Sequence, residues 1–133
     1  MMRIITGRAR GTKLVTLEGN NTRPTSERVK EAVFSMIQFD IEGRNVLDLF
    51  AGSGQMGLEA LSRGAEKATF IDNSKAAVNV IKQNVAKTHF ESESAIVLAN
   101  AEDHLKRICV RLVCSNFSLR TSSNFWVVLV SSA

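Results

Sequence analysis

The chain has 133 residues, 44% apolar and 23% charged, a composition ordinary for a soluble globular protein in the size range of one domain. Its only cysteines are Cys109 and Cys114 and its only histidines His89 and His104, too few and too scattered for a zinc site of about four ligands. The net charge of +4 is concentrated at the start, where Arg3, Arg8, Arg10, Lys13, Arg23, Arg28 and Lys30 face only Glu18 and Glu27, while the rest is close to neutral.

A basic lobe of this kind fits a phosphate-rich partner, and equally a solvated face. No apolar stretch follows the basic start, as a secretory signal would need. The longest late apolar run, Phe125 to Val130, is far short of the roughly 20 residues that span a bilayer. A cytoplasmic protein without membrane contact is therefore expected.

Arg3 to Thr6 and Lys13 to Leu17 are β-rich, with Gly7 and Gly11 between them, and predict a hairpin. Residues 1–22 are expected to form a basic extension to a domain spanning 23–133. Behind Pro24, Thr25 or Ser26 can cap a helix and Glu27 suits its positive end. Val29, Ala32, Val33, Met36 and Ile37 then fall on one apolar helix face, with Arg28, Lys30, Glu31 and Ser35 off it.

Val46 to Phe50 is a short apolar strand, and Ala51 to Gly54 a glycine-rich turn. Gln55 to Arg63 predicts a helix that stops at Gly64. Lys67 to Asp72 is a second strand. Ser74 to about Lys87 is a helix that buries Ala77, Ile81 and Val85. Ala95 to Ala99 is a third strand, followed by a helix from Ala101 to about Ile108. Phe125 to Val130 is in place for a fourth strand. Alternating strands and helices imply βαβ units with right-handed crossovers and an α/β fold around a mostly parallel sheet.

Gly52, Gly54 and Gly57 have GxGxxG spacing between a strand and a helix, a weak signal by itself. Asp48 sharpens it. A carboxylate near the turn would not help a pyrophosphate, but it would suit a ligand with a cationic amino group, such as S-adenosylmethionine; the alternative role is a turn or capping aspartate. Asp72 ends the second strand where an acid can accept ribose hydroxyls, or else form an Asx turn before a helix capped by Asn73 or Ser74. Asn100, before Ala101, ends the third strand, where it can read an adenine edge or cap the next helix.

The stretches Arg3 to Gly11, Thr22 to Phe34, Val46 to Gly54 and Gly57 to Ala65 together resemble the bacterial small-subunit ribosomal RNA guanine-N2 methyltransferases, over residues 3 to about 107. The resemblance implies a Rossmann-like methyltransferase fold with helices on both faces of the sheet, S-adenosylmethionine as methyl donor, a guanine amine in 16S ribosomal RNA as acceptor, and a monomer. It places Asp48, Gly52 and Gly54 at the methionine end, Asp72 at the ribose, and Asn100 and Ala101 at the adenine, with Phe50, Ala51, Ser53 and Asn73 as further cofactor-binding residues. It turns Arg3, Arg8, Arg10, Lys13, Arg23 and Arg28 toward RNA. The family's Asp-Pro-Pro-Tyr or Asp-Pro-Pro-Phe motif has no counterpart, because Pro24 is the only proline. No catalytic residue is therefore assigned, and no metal is implied.

Residues 109–133 depart from the family pattern, and the expectation is a truncated chain with an open sheet edge that favours self-association. Two other readings remain open: a non-catalytic module binding S-adenosylmethionine or RNA, and a nicotinamide-dependent oxidoreductase, which Asp48 disfavours.

Overall fold

The computed structural model describes residues 2–16, 27–104, 106 and 126–130. Expectations for Arg23, the Thr25 or Ser26 cap, the cysteines and the end of the helix predicted from Ala101 to about Ile108 lie outside these residues. The elements are α1 (Glu27–Ile41), β1 (Asn45–Leu49), α2 (Gln55–Ser62), β2 (Lys67–Asp72), α3 (Lys75–Thr88), a short 3₁₀ turn (Glu91–Glu93), β3 (Ser94–Leu98) and β4 (Trp126–Val130). A helical turn at 101–104 follows β3.

These four strands are parallel, in the order β3-β2-β1-β4. The strand predicted late in the chain lies beside β1, with Asn45 opposite Trp126 and Leu49 opposite Val130. Ser74 caps α3 by accepting the Ala77 N–H, and Gly64, at φ 108°, follows α2 as its stop.

Alternation along the strands divides the core in two. Val46, Ala68 and Phe70 face α1, α2 and α3, and pack with Phe34, Leu58, Leu61, Ile81 and Val85. Leu47, Leu49 and Ile71 face the other way, toward Ala101. Asp48 shares the parity of Val46, so its carboxylate is directed at α2.

Two expectations change. The N-terminal segment closes like a hairpin through Ile4 N–H to Thr12 O and Leu14 N–H to Met2 O, but among the described residues its ladder is a single antiparallel bridge between Arg3 and Lys13. Several of its other amides are bonded by α2 and α3 instead. The buried face of α1 keeps Val33 and Ile37 of the apolar spacing packed against the core but is otherwise shifted from the predicted one. Lys30, Phe34 and Ile41 are buried, whereas Ala32 is exposed and Met36 and Phe39 are 83% and 89% exposed. Lys30 Nζ donates to Arg3 O at 2.7 Å and lies 3.5 Å from Glu59 Oε2. These acceptors allow an ammonium to be buried on the same side as Phe34 and Ile41. No helix among the described residues is long and apolar enough to cross a membrane.

Candidate cofactor site and basic face

The site lies at the carboxyl ends of β1, β2 and β3, where ligands collect in parallel sheets. After Leu49 the chain leaves β1 through Phe50 at φ 54°, Gly52 at φ 59° and Gly54 at φ 80°. Three left-handed residues in such a short stretch make a sharp turn that brings backbone into the crevice above the strands. Phe50 is not a glycine, so its conformation carries strain of order 1 kcal/mol or more, and its side chain is 47% exposed at the rim.

Three hydrogen bonds donated by the loop's own amides shape the turn. Ala51 N–H donates to Ile71 O at 3.0 Å, Gly54 N–H to Ala51 O at 2.8 Å, and Gly52 N–H to Asp72 Oδ2 at 3.0 Å. Asp72 thus ties the first loop to the second. Its other oxygen accepts the Ser74 N–H at 2.9 Å, forming the Asx turn before α3. Asp72 O accepts the Ala99 N–H at 3.0 Å, which brings in the end of β3. Asn100 Oδ1 then accepts the Glu102 N–H at 2.9 Å as a cap, and Ala101 is buried against Ile71 and Leu49. Asn73 is exposed beside Asp72.

Asp48 is fully buried and its Oδ2 accepts the Gly57 N–H at 3.0 Å. It fixes the first turn of α2 from below. Gly57 itself is required by packing: a Cβ there would overlap the Phe70 ring. The third glycine of the motif therefore lets α2 lie close on β2. Gln55, at the start of α2, buries an Oε1 that has no hydrogen-bond partner among the described residues.

The basic residues divide by what they touch. Arg3, Arg10, Lys13 and Arg28 are exposed. Arg8 donates to both carboxylate oxygens of Glu93 (3.3 and 2.7 Å) and to Leu61 O, and its guanidinium lies 5.0 Å from the Phe90 ring centre. It joins the N-terminal segment to the turn before β3 while keeping part of its surface in solvent.

Sequence reasoning missed Glu59. This carboxylate is buried on α2 and accepts Ile5 N–H, Thr6 N–H and Arg63 Nε at 2.9 to 3.0 Å, beside Lys30. Ser62 adds a bond from Ala9 N–H and one to Thr6 O. Gly7 passes so close to α2 that a Cβ would overlap the Ser62 carbonyl. An acid between Leu58 and Ala60 in an otherwise apolar helix was the available signal. No group of three or more metal-binding side chains occurs among the described residues.

A family model described as conserved hypothetical protein 95 matches residues 2–113. The chain is 43% identical over 107 residues to the ribosomal RNA small subunit methyltransferase D of Haemophilus influenzae, covering 80% of this chain and 55% of that one. The structure of a hypothetical protein from Thermus thermophilus superposes with a TM-score of 0.72 at 33% identity, covering 84% and 63% of the two chains. A SAM-dependent methyltransferase from Agrobacterium tumefaciens gives 0.56 at 26% identity, with 63% and 27% covered. The chain spans about half the length of the curated relatives it matches. The resemblance seen in the motifs is thus borne out, and the chain belongs to the conserved hypothetical protein 95 family, with ribosomal RNA small subunit methyltransferases among its relatives.

Proposed function

We propose that this chain is the S-adenosylmethionine-binding part of a cytoplasmic methyltransferase acting on the N2 amine of a guanine in small-subunit ribosomal RNA. The observation that carries the reading is the Asp72–Gly52 hydrogen bond, which gathers the glycine-rich loop and the ends of β1, β2 and β3 into one crevice. The Haemophilus relative is named for ribosomal RNA methylation and the Agrobacterium neighbour for S-adenosylmethionine dependence, which supports both halves of the proposal.

The residues present fit the group. Asp72 is half-buried at the strand end, and its carboxylate retains acceptor capacity for ribose hydroxyls beyond the two backbone amides it holds. Gln55 Oε1 is a buried acceptor beside the loop without a donor among the described residues. Asp48 sets a carboxyl group under the loop, which as a carboxylate would suit an ammonium and oppose a pyrophosphate. Phe50, Ala51, Ser53 and Gly54 supply the walls, and Asn100 with Ala101 the adenine end. When bound, the group supplies a methyl carried on a sulfonium. Arg3, Arg10, Lys13 and Arg28, with the exposed part of Arg8, would meet RNA phosphates, as positioning contacts rather than base readers.

Calorimetric titration of the chain with S-adenosylhomocysteine and with a nicotinamide dinucleotide tests the reading. Binding of the first and not the second is expected. A folded chain that binds neither, or only the dinucleotide, would overturn it.

A further inference from the structure

Asn84 is fully buried on α3 and joins two parts of the chain that the proposed function uses for different ligands. Its Nδ2 donates to Ser53 O in the glycine-rich loop at 2.8 Å and to Val15 O at 2.9 Å, while its Oδ1 accepts the Val15 N–H at 2.7 Å. The side-chain amide therefore pairs with Val15 as a neighbouring strand would, and holds Ser53 with its remaining proton.

The other end of the same segment reaches the same loop residue. Ser53 Oγ donates to Met2 Sδ at 3.0 Å, and Leu14 N–H to Met2 O at 3.0 Å. Exposed Arg3 adjoins Met2, and exposed Lys13 is two residues from Val15. Lys87 of α3 donates to Lys13 O at 3.4 Å. The basic side chains thus sit one or two residues from the points where the segment grips the loop. A satisfied buried amide cannot follow one partner without leaving the other unbonded. Displacement of the segment must therefore reach Ser53, and displacement of Ser53 must reach the segment.

We propose that Asn84 is a positioning residue that couples the basic N-terminal segment to the glycine-rich loop, so that cofactor and RNA bind this chain cooperatively. This rests on the function proposed above. Thermodynamic linkage makes the effect reciprocal.

The test measures the affinity of the full chain for a small-subunit ribosomal RNA transcript, with and without saturating S-adenosylhomocysteine. The cofactor product is expected to tighten RNA binding about fivefold or more. Asn84→Asp keeps an acceptor for Val15 N–H but sets a carboxylate against the Val15 and Ser53 carbonyls, and should bring the factor close to one. Val15→Pro removes the donor without touching α3 and should do the same. In the unaltered chain, S-adenosylhomocysteine should slow hydrogen exchange at the Val15 amide. A merely structural Asn84 would weaken both affinities and leave their coupling intact, which would overturn the proposal. So would independent binding of the two ligands by the unaltered chain, with the proposed function still standing. Failure of the folded chain to bind S-adenosylhomocysteine at all would remove that function and the coupling together.

Discussion

Asp72 Oδ2 accepts the Gly52 N–H at 3.0 Å across 20 residues of chain, and this one bond closes the crevice at the ends of β1 and β2. Asp72→Ala frees that amide and the Ser74 amide and removes the carboxylate offered to a ribose. Hydrogen bonds to charged groups contribute roughly 1.5–3 kcal/mol, so affinity for S-adenosylhomocysteine should fall about 10- to 100-fold. Calorimetry on the variant, with circular dichroism to verify folding, checks this. Unchanged affinity would remove Asp72 from the site.

Glu59 is the anionic centre of a buried cluster, with Lys30, Arg63 and two backbone amides of the N-terminal segment around it. Glu59→Gln keeps the shape but withdraws the charge. Breaking a buried ion pair from one side costs about 3–5 kcal/mol, a large part of a small domain's stability. The urea midpoint should drop accordingly. A loss below about 1 kcal/mol would mean that Lys30 and Arg63 are satisfied without it.

The contact of Gly57 with Phe70 gives a prediction that depends on the background. Gly57→Ala alone forces a methyl into the Phe70 ring and should destabilise by about 1–3 kcal/mol, as overpacking does. In a Phe70→Leu background the space exists, and the same change should cost much less, helped by the better helix propensity of alanine. A double-mutant cycle by denaturant unfolding measures this interaction; additivity would contradict the packing.

The rotation of α1 is checked with its two phenylalanines. Phe34 is buried, with Arg63 4.8 Å from its ring centre, and Phe39 is 89% exposed. Phe34→Ala should cost about 3–5 kcal/mol, and Phe39→Ser within about 0.5 kcal/mol. Equal costs would place Phe39 in the core.

The strands and helices from Val46 to Ala99 were legible because each kept its own period. A short apolar run marked β1, which is buried on both faces, and the spacing of Ala77, Ile81 and Val85 made the buried side of α3. Some limits shift by a residue, since the cap and not the propensity sets them: Ser74 starts α3 and Phe50 turns out of β1 at positive φ. The face of α1 was legible only in part, at Val33 and Ile37. Its apolar spacing included Met36, which is exposed, and excluded Lys30, which is buried, because the acceptors that draw Lys30 inward belong to Arg3 and Glu59.

For the candidate site the division is similar. Spacing alone marked Asp48, the three glycines, Asp72 and Asn100, since each lies at or near a strand end and strand ends of a parallel sheet converge. Only the tertiary structure decided what those groups do to one another: Asp48 turns to Gly57, Asp72 to Gly52 and Ser74, and Asn100 to Glu102. It also brought Glu59 and Asn84 into use, by setting their side chains against the backbone of a segment 53 to 69 residues away. Periodicity is a property of neighbours along the chain, and a sequence displays it directly. The partner of a buried polar group is fixed by which distant backbone happens to be desolvated beside it, and that is known only once the chain has folded.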